Sequence, residues 1–486
     1  MTAALVPVVD DQTAPLDLDT SLNLMRKLDS RRLTRAAGMD VLAAAYEGRH
    51  QEPVLPPDVE YQFNELRRLA HSPWMRLVVD AAAERLRVDG FRTSADRDAD
   101  QVAWSWWQRN RLDAGSALVH IEAIKLGLAY VSVMPTDTPW PRIRGEHPCQ
   151  TYVEYDPDEP GVALYGIKTW TGADGYGYST LYTPDYLYRY VTVRPDPTYS
   201  TTPGTRPVLG PWQPRTTRGL WPVPNSMGCV PIVPFYNCPT LDGGYASDIA
   251  PVLPIQDRID QTLFARIVAG EYGAFRQKWV TGLVVPKNPD GSPRKPEHLD
   301  VSQDRLLIGE DPDTQFGEFG ATDLGNYIAA IEADTQHIAS ISRTPAHYIL
   351  GHSGQFPSGE SLKATETGLM ARVYSKQIHF GEAWEDVIRL AGRAVGDDER
   401  AGDQEAEVIW ANTESRTMAE LADSLLKEKS TIDTPPVMLA ERLGYTPTQI
   451  DRMVKLWEEQ PDELTRIANT VRAATTTPPA SQLITV

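Results

Sequence analysis

Residues 341–348 read Ile-Ser-Arg-Thr-Pro-Ala-His-Tyr, and just beyond them residues 358–363 read Ser-Gly-Glu-Ser-Leu-Lys. The first string closes a helix. Ile328, Ile331 and Ile338 recur at helical spacing from about Asp323 to Ser342, and Pro345 bars the α conformation at Thr344 and offers no N–H to continue the ladder. Ser358 then starts the longest helix of the chain, expected to run to about Val395. Between them, 346–357 is expected to be a loop whose glycines and serines give it backbone freedom. On the N-terminal side, Asp248 is expected to cap a helix over Ile249–Ala274, with Ile255, Ile259, Leu263, Ile267 and Val268 on one side and a length of about 39 Å. A small β-containing excursion joins these two helices. Its tip, KNPDGSPRKP at 287–296, is rich in turn residues and is flanked by candidate strands Trp279–Val285 and Asp304–Ile308.

Further outward, helical spacing marks Leu22–Glu47 with Gly48 as its stop, Pro73–Val88 closed by a turn at Asp89-Gly90, Gln101–Arg111, and Gly115–Tyr130. The period then changes to alternation. Short strands are expected at Tyr130–Met134, Gln150–Tyr155, Gly161–Ile167 and Thr180–Tyr188, and an exposed loop at Pro195–Arg218. Beyond Gly396 come a charged loop, a strand at Ala406–Trp410 and three short helices, Arg416–Lys429, Pro435–Leu443 and Pro447–Glu458. The tail after about Ala473, with its TTTPP run, has the composition of a disordered segment. The fold class is α+β, mainly helical, with an antiparallel sheet in the N-terminal half.

The 486 residues carry 47 Lys and Arg against 66 Asp and Glu, a formal net charge of -19. That balance argues against a protein that grips nucleic acid, because such binding comes from cations displacing phosphate counterions. The best apolar stretch, Ala117–Met134, is broken by His120, Glu122 and Lys125, so no membrane span is expected. Three cysteines make neither a disulfide framework nor a zinc set. Trp104, Trp106 and Trp107 lack the basic groove of a base-stacking surface and are expected to pack in a core. The loop acids Asp311, Asp313, Asp397 and Asp398 lack the calcium-loop pattern and read as solvated surface. No phosphate-binding loop, dinucleotide fingerprint or zinc-protease motif is present. Gly351-His-Ser-Gly354 is the nearest approach to a hydrolase motif, lacks the second half of G-x-S-x-G, and makes a Ser/His hydrolase using the loop near 352–361 the alternative reading. No catalytic, cofactor-binding or metal-binding residues are expected.

The order of these elements, with several strings, resembles the portal proteins of tailed bacteriophages. The strings are Ala45-Tyr-Glu-Gly-Arg-His50, Trp74-Met-Arg-Leu-Val-Val-Asp80 with Gly90-Phe91, Asn110-Arg-Leu-Asp113, Pro254-Ile-Gln-Asp-Arg-Ile-Asp260, and the two quoted at the outset. The resemblance spans roughly residues 20–460 and implies a homo-oligomeric ring, usually of twelve subunits, at the capsid vertex of the virion, assembled in the host cytoplasm. Double-stranded DNA would pass through it during packaging and ejection. The regions implied are a wing (1–248 and 358–397), a stem (249–274 and 324–344), a clip (275–323), a tunnel loop (345–357), a crown (398–470) and a tail (471–486).

Implied partners are the terminase large subunit, a head-completion adaptor, and the major capsid and scaffolding proteins. A capsid or tail structural protein away from the DNA vertex is a further alternative. In a ring every inward cation is repeated around the wall and would hold DNA, so an acidic wall suits sliding. Glu332 and Asp334 are the candidate tunnel acids, with salt bridges between neighbouring subunits as their other reading. His347, Tyr348, His352 and Gln355 are candidates for proximity to DNA. Arg276, Lys278, Lys287, Arg294 and Lys295 form a basic cluster in the implied clip, for partner docking or as a plain solvated hairpin.

Overall fold

The computed structural model describes residues 14–459 except 50, 56–59, 95–98, 195–209, 218, 275–277, 282–288, 290–312, 314, 319, 321–322, 351–358, 414–417 and 446. Asp17 opens α1 (Leu18–Tyr46) by accepting the Thr20 N–H at 2.8 Å. Gly48 follows the helix at φ +69°, as the sequence suggests. Next come α2 (Glu60–Arg68) and α3 (Trp74–Ala83). The helix expected to reach Val88 stops five residues short, and Val88–Arg92 is instead strand β1.

Asp100 caps α4 (Gln101–Arg109), and α5 (Leu112–Leu126) follows at once. At Gly127 (φ +86°) the chain turns into β2 (Leu128–Met134) so tightly that a Cβ would sit 2.9 Å from the Tyr245 ring. The remaining strands of this half are β3 (Arg142–Glu146), β4 (Thr151–Tyr155), β5 (Ala163–Thr171), β6 (Gly177–Tyr182), β7 (Tyr186–Thr192), β8 (Trp212–Pro214), β9 (Val223–Pro224) and β10 (Ile232–Tyr236). The segment expected as one strand, 180–188, is a hairpin: Thr183, Pro184 and Asp185 make its turn, where proline cannot donate to a ladder.

All strand pairings among the described residues are antiparallel. One sheet runs β10-β2-β3, and a larger one runs β4-β5-β6-β7-β8 with β9 beside β7. The larger sheet buries Ile167, Leu181, Tyr188 and Tyr190 against Leu22, Met25 and Leu28 of α1.

Then come α6 (Leu253–Ala274), the two-stranded β11 (Lys278–Thr281) and β12 (Gln315–Glu318), α7 (Gly325–Ser342), α8 (Ala346–Leu350), α9 (Gly359–Val395), α10 (Asp398–Ala401) and β13 (Glu407–Trp410). The partner of β11 is therefore 315–318; the expected strand at 304–308 lies outside the described residues. The chain finishes with α11 (Met418–Ile432), α12 (Pro436–Arg442) and α13 (Pro447–Glu459), close to expectation, and the tail after Ala473 lies outside the described residues. β13 returns to pair with β1, so residues 407–410 complete the N-terminal region.

The main core lies where α9 crosses this region. Trp384 sits 4.8 Å from Trp107 and 4.7 Å from Phe235, ring centroid to centroid, and Trp104 stacks on Trp107. The tryptophans pack, as expected. His120 is wholly buried among them, accepts the Trp384 indole N–H at 2.9 Å, and burial pushes its pKa down to about 3, so it is neutral and structural.

Candidate channel hairpin and its anchor

α6 and α7 pack side by side, joined by the β11–β12 excursion. At 1.5 Å per residue α6 is about 33 Å long and α7 about 27 Å. α6 is shorter than expected because residues 249–252 form turns. Asp248 is not its cap.

Two ion-pair systems fix this hairpin. Arg258 of α6 donates through Nε at 2.8 Å and Nη2 at 2.5 Å to the two oxygens of Asp334 on α7, a bidentate pair. His337 Nδ1 stands 3.6 Å from the same carboxylate. Two residues further along α6, Asp260 is buried and accepts from Gln256 at 2.9 Å and from the Ser72 N–H at 3.3 Å.

The second system holds the root of the hairpin against α9. The Asp248 carboxylate is 8% exposed and receives Arg372 Nε at 2.8 Å and Lys376 Nζ at 2.8 Å. Arg372 also donates to the Ser342 carbonyl at the end of α7 and to the Val78 carbonyl in α3, each at 2.7 Å. One guanidinium thus joins the start of the α6 segment, the end of α7, α3 and α9. Burial opposes ionisation of Asp248, but Lys376 and Arg372 outweigh it and hold the carboxyl below the usual range. A cleft of about 340 Å³ opens above this cluster between Ile341, Arg343 and His379.

Arg343 ends α7 in the left-handed conformation, at φ +53°, and Pro345 starts α8. The segment expected as a loop throughout is therefore helical over its first residues, 346–350. The Tyr348 hydroxyl accepts from Arg85 at 2.7 Å and donates to Glu366 at 2.8 Å, which binds α8 to the turn after α3 and to α9.

These geometries sort the residues singled out from sequence. Glu332 is exposed on α7. Asp334 is half-buried and paired within its own chain with Arg258. Of the three isoleucines at helical spacing, Ile328 is 45% exposed, whereas Ile331 and Ile338 are buried. The exposed side of α7 carries Asn326, Ala329, Ala333, Gln336 and Ser340, with Glu332 its one exposed carboxylate.

Tyr348 has its hydroxyl committed to protein partners, and His347 packs edge-on against its ring at 4.6 Å. Lys278 pairs through its backbone with Glu318. His352, Gln355, Arg276, Lys287, Arg294 and Lys295 lie outside the described residues. Arg258, Arg372 and Lys376 were not legible as site residues. The available signal was two cations one turn apart on the apolar side of a long helix, which demands a buried carboxylate. Among the described residues no group of three or more His, Cys, Asp or Glu could hold a metal ion, and no helix is long and apolar enough to cross a membrane.

Residues 26–463 match the model of the phage portal proteins of SPP1 Gp6-like type. The chain belongs to this family. Portal proteins that it resembles include that of Mycobacterium phage D29, 28% identical over 431 residues, and that of Mycobacterium phage L5, 26% identical over 439; each match covers 85% of this chain and 84% of the relative. Among solved structures it is similar to a chain from the neck of a native GTA particle computed with twelvefold symmetry, at TM-score 0.41 and 11% identity, covering 83% of this chain and 98% of that one. A chain from the neck of the empty particle, computed with sixfold symmetry, gives TM-score 0.40 at 10% identity. As a phage portal protein the chain is a structural, non-enzymatic component of the head, and the hydrolase reading of the loop near 352–361 is set aside.

Proposed function

We propose that this portal chain is one of twelve subunits of a ring that encloses double-stranded DNA as it enters and leaves the head, with α6 and α7 as the wall. The observation that carries this reading is the paired hairpin, cross-linked by Arg258 and Asp334 and rooted on α9 through Asp248 and Arg372. Twelve helices of about 10 Å diameter set side by side leave about 28 Å clear, room for a duplex. A wall poor in unpaired cations serves sliding, since retention comes from cations that displace phosphate counterions.

In this reading the stem comprises 249–274 and 324–344, the clip 275–323, the tunnel loop 345–357, and the wing 1–248 and 358–397. The pairing of β13 with β1, and the ion pair of Arg400 with the buried Asp100, support giving 398–411 to the wing as well. The crown then begins near 412. The clip is the docking place for the terminase large subunit and later the head-completion adaptor, through the basic cluster 276–295. The wing meets major capsid and scaffolding proteins.

Negative-stain microscopy of the purified chain is the direct test. Rings with an axial hole are expected; monomers, or closed assemblies without a hole, would remove the channel reading.

A further inference from the structure

A second cleft, of about 320 Å³, lies where the turn end of the larger sheet meets β10 and the C-terminal half of α9. Its wall is apolar: Tyr155, Leu164, Val230, Ile232 and Leu390, with the Cys229 thiol among them. Its rim carries Arg389 and Arg393. Arg389 is paired with Asp386 at 2.7 Å. Arg393 reaches the Cys229 thiol and has no carboxylate partner among the described residues, an unusual state in a chain of net charge -19.

An open apolar groove with a spare guanidinium at its edge suits a short extended segment with consecutive apolar residues and an acid beside them. The chain has such a segment ahead of α1. Residues 5–11 read Leu-Val-Pro-Val-Val-Asp-Asp, five apolar positions followed at once by two carboxylates. Pro7 restricts the segment toward extended conformations, which lowers the entropy lost on docking.

The reach is sufficient. The Leu16 N–H donates to the Tyr188 hydroxyl at 2.8 Å, and Pro184, which lines the cleft, precedes Tyr188 by four residues, about 13 Å of strand. Eight residues back from Leu16 to Val8 span up to about 28 Å.

We infer that the cleft receives residues 5–9 of the same chain, with Asp10 and Asp11 at Arg393, so that the N-terminal segment fastens the larger sheet to α9. The inference stands apart from the channel reading, because it concerns the wing end of the fold whether or not a ring forms.

Cys229 supplies the test. In the full chain carrying Val8→Cys and Cys238→Ser, mild oxidation is expected to join position 8 to Cys229 within one chain, read by peptide mapping after non-reducing electrophoresis. Arg393→Glu should slow this bond about fivefold at low salt, and adding Asp10→Lys and Asp11→Lys should restore the rate. A bond that joins two chains, or one that forms at a rate indifferent to Arg393→Glu, overturns the proposal. Hydrogen exchange gives a second reading that needs no cysteine: removal of residues 1–13 should raise exchange across 228–234, and unchanged exchange there also overturns it.

Discussion

Replacing Asp248 by alanine would leave Arg372 and Lys376 buried without their carboxylate. Removing one partner of a buried, hydrogen-bonded ion pair costs roughly 3–5 kcal/mol, most of it the penalty on the charge left behind. Asp248 has 8% exposure and two cationic partners, so little of that loss is relieved by water. Asp334 makes the natural control, because its partner Arg258 is 56% exposed and the pair is worth about 1 kcal/mol or less. Urea unfolding followed by tryptophan fluorescence suits the measurement, since Trp384 and Trp107 lie in the core that α9 organises.

The pH arm has a fixed sign. The folded-state pKa of Asp248 is depressed, so its contribution is complete above the unfolded carboxylate value of 3.8 and is lost as pH falls through the lower folded value. The variant should be destabilised at neutral pH and lose less than the parent on acidification. Lys376→Met should cost less than Asp248→Ala, because Asp248 keeps Arg372. An Asp248→Ala transition within about 1 kcal/mol of the parent, or equal to that of Asp334→Ala, would refute the anchoring role.

Two further outcomes follow from single carboxylates. Burial, with Glu382 and Asp386 nearby, pushes Glu385 up to about 7 against the pull of Arg389. Its folded-state pKa lies above the unfolded 4.5, so its contribution is full below 4.5 and fades as pH rises through 7; Glu385→Gln should flatten that fall, and an unaltered stability profile between pH 4.5 and 8 would contradict it. Glu332→Lys should leave ring assembly intact while reducing packaged DNA, measured as nuclease-protected DNA per particle; unchanged packaging would take Glu332 off the channel wall. Asp334→Lys suits this test less well, since it would set a lysine beside Arg258 and remove the bidentate pair.

The parts of the fold that were legible in sequence are those whose signals are local. The spacing of Leu22, Met25 and Leu28, the stop at Pro345 and the run to Val395 depend on residues within a few turns of one another. The errors arose where the deciding contact is remote. Asp89-Gly90 has turn composition, yet Gly90 pairs with Ile409, and a register shift between Val88 and Gly90 absorbs the irregularity. Thr180–Tyr188 keeps its aromatic alternation straight through a hairpin turn, so periodicity alone joined two strands. Asp248 stands where a helix cap is expected, and only the arrival of Arg372 and Lys376 from α9 gives its carboxylate other work. The intrachain partner of Asp334 is equally remote, because Arg258 sits on the other arm of the hairpin.

The return of β13 to β1 also sets a clock on biosynthesis. Gly90 waits for Ile409, about 320 residues later in the chain. At ribosomal rates of roughly 5–20 residues per second that interval is about 15–65 s, during which β1 shows an unpaired edge and the tryptophan core lacks α9. A chain stopped before residue 407 would leave β1 without its partner strand. Folding of the N-terminal region is thereby tied to synthesis of residues 407–410, far along the chain.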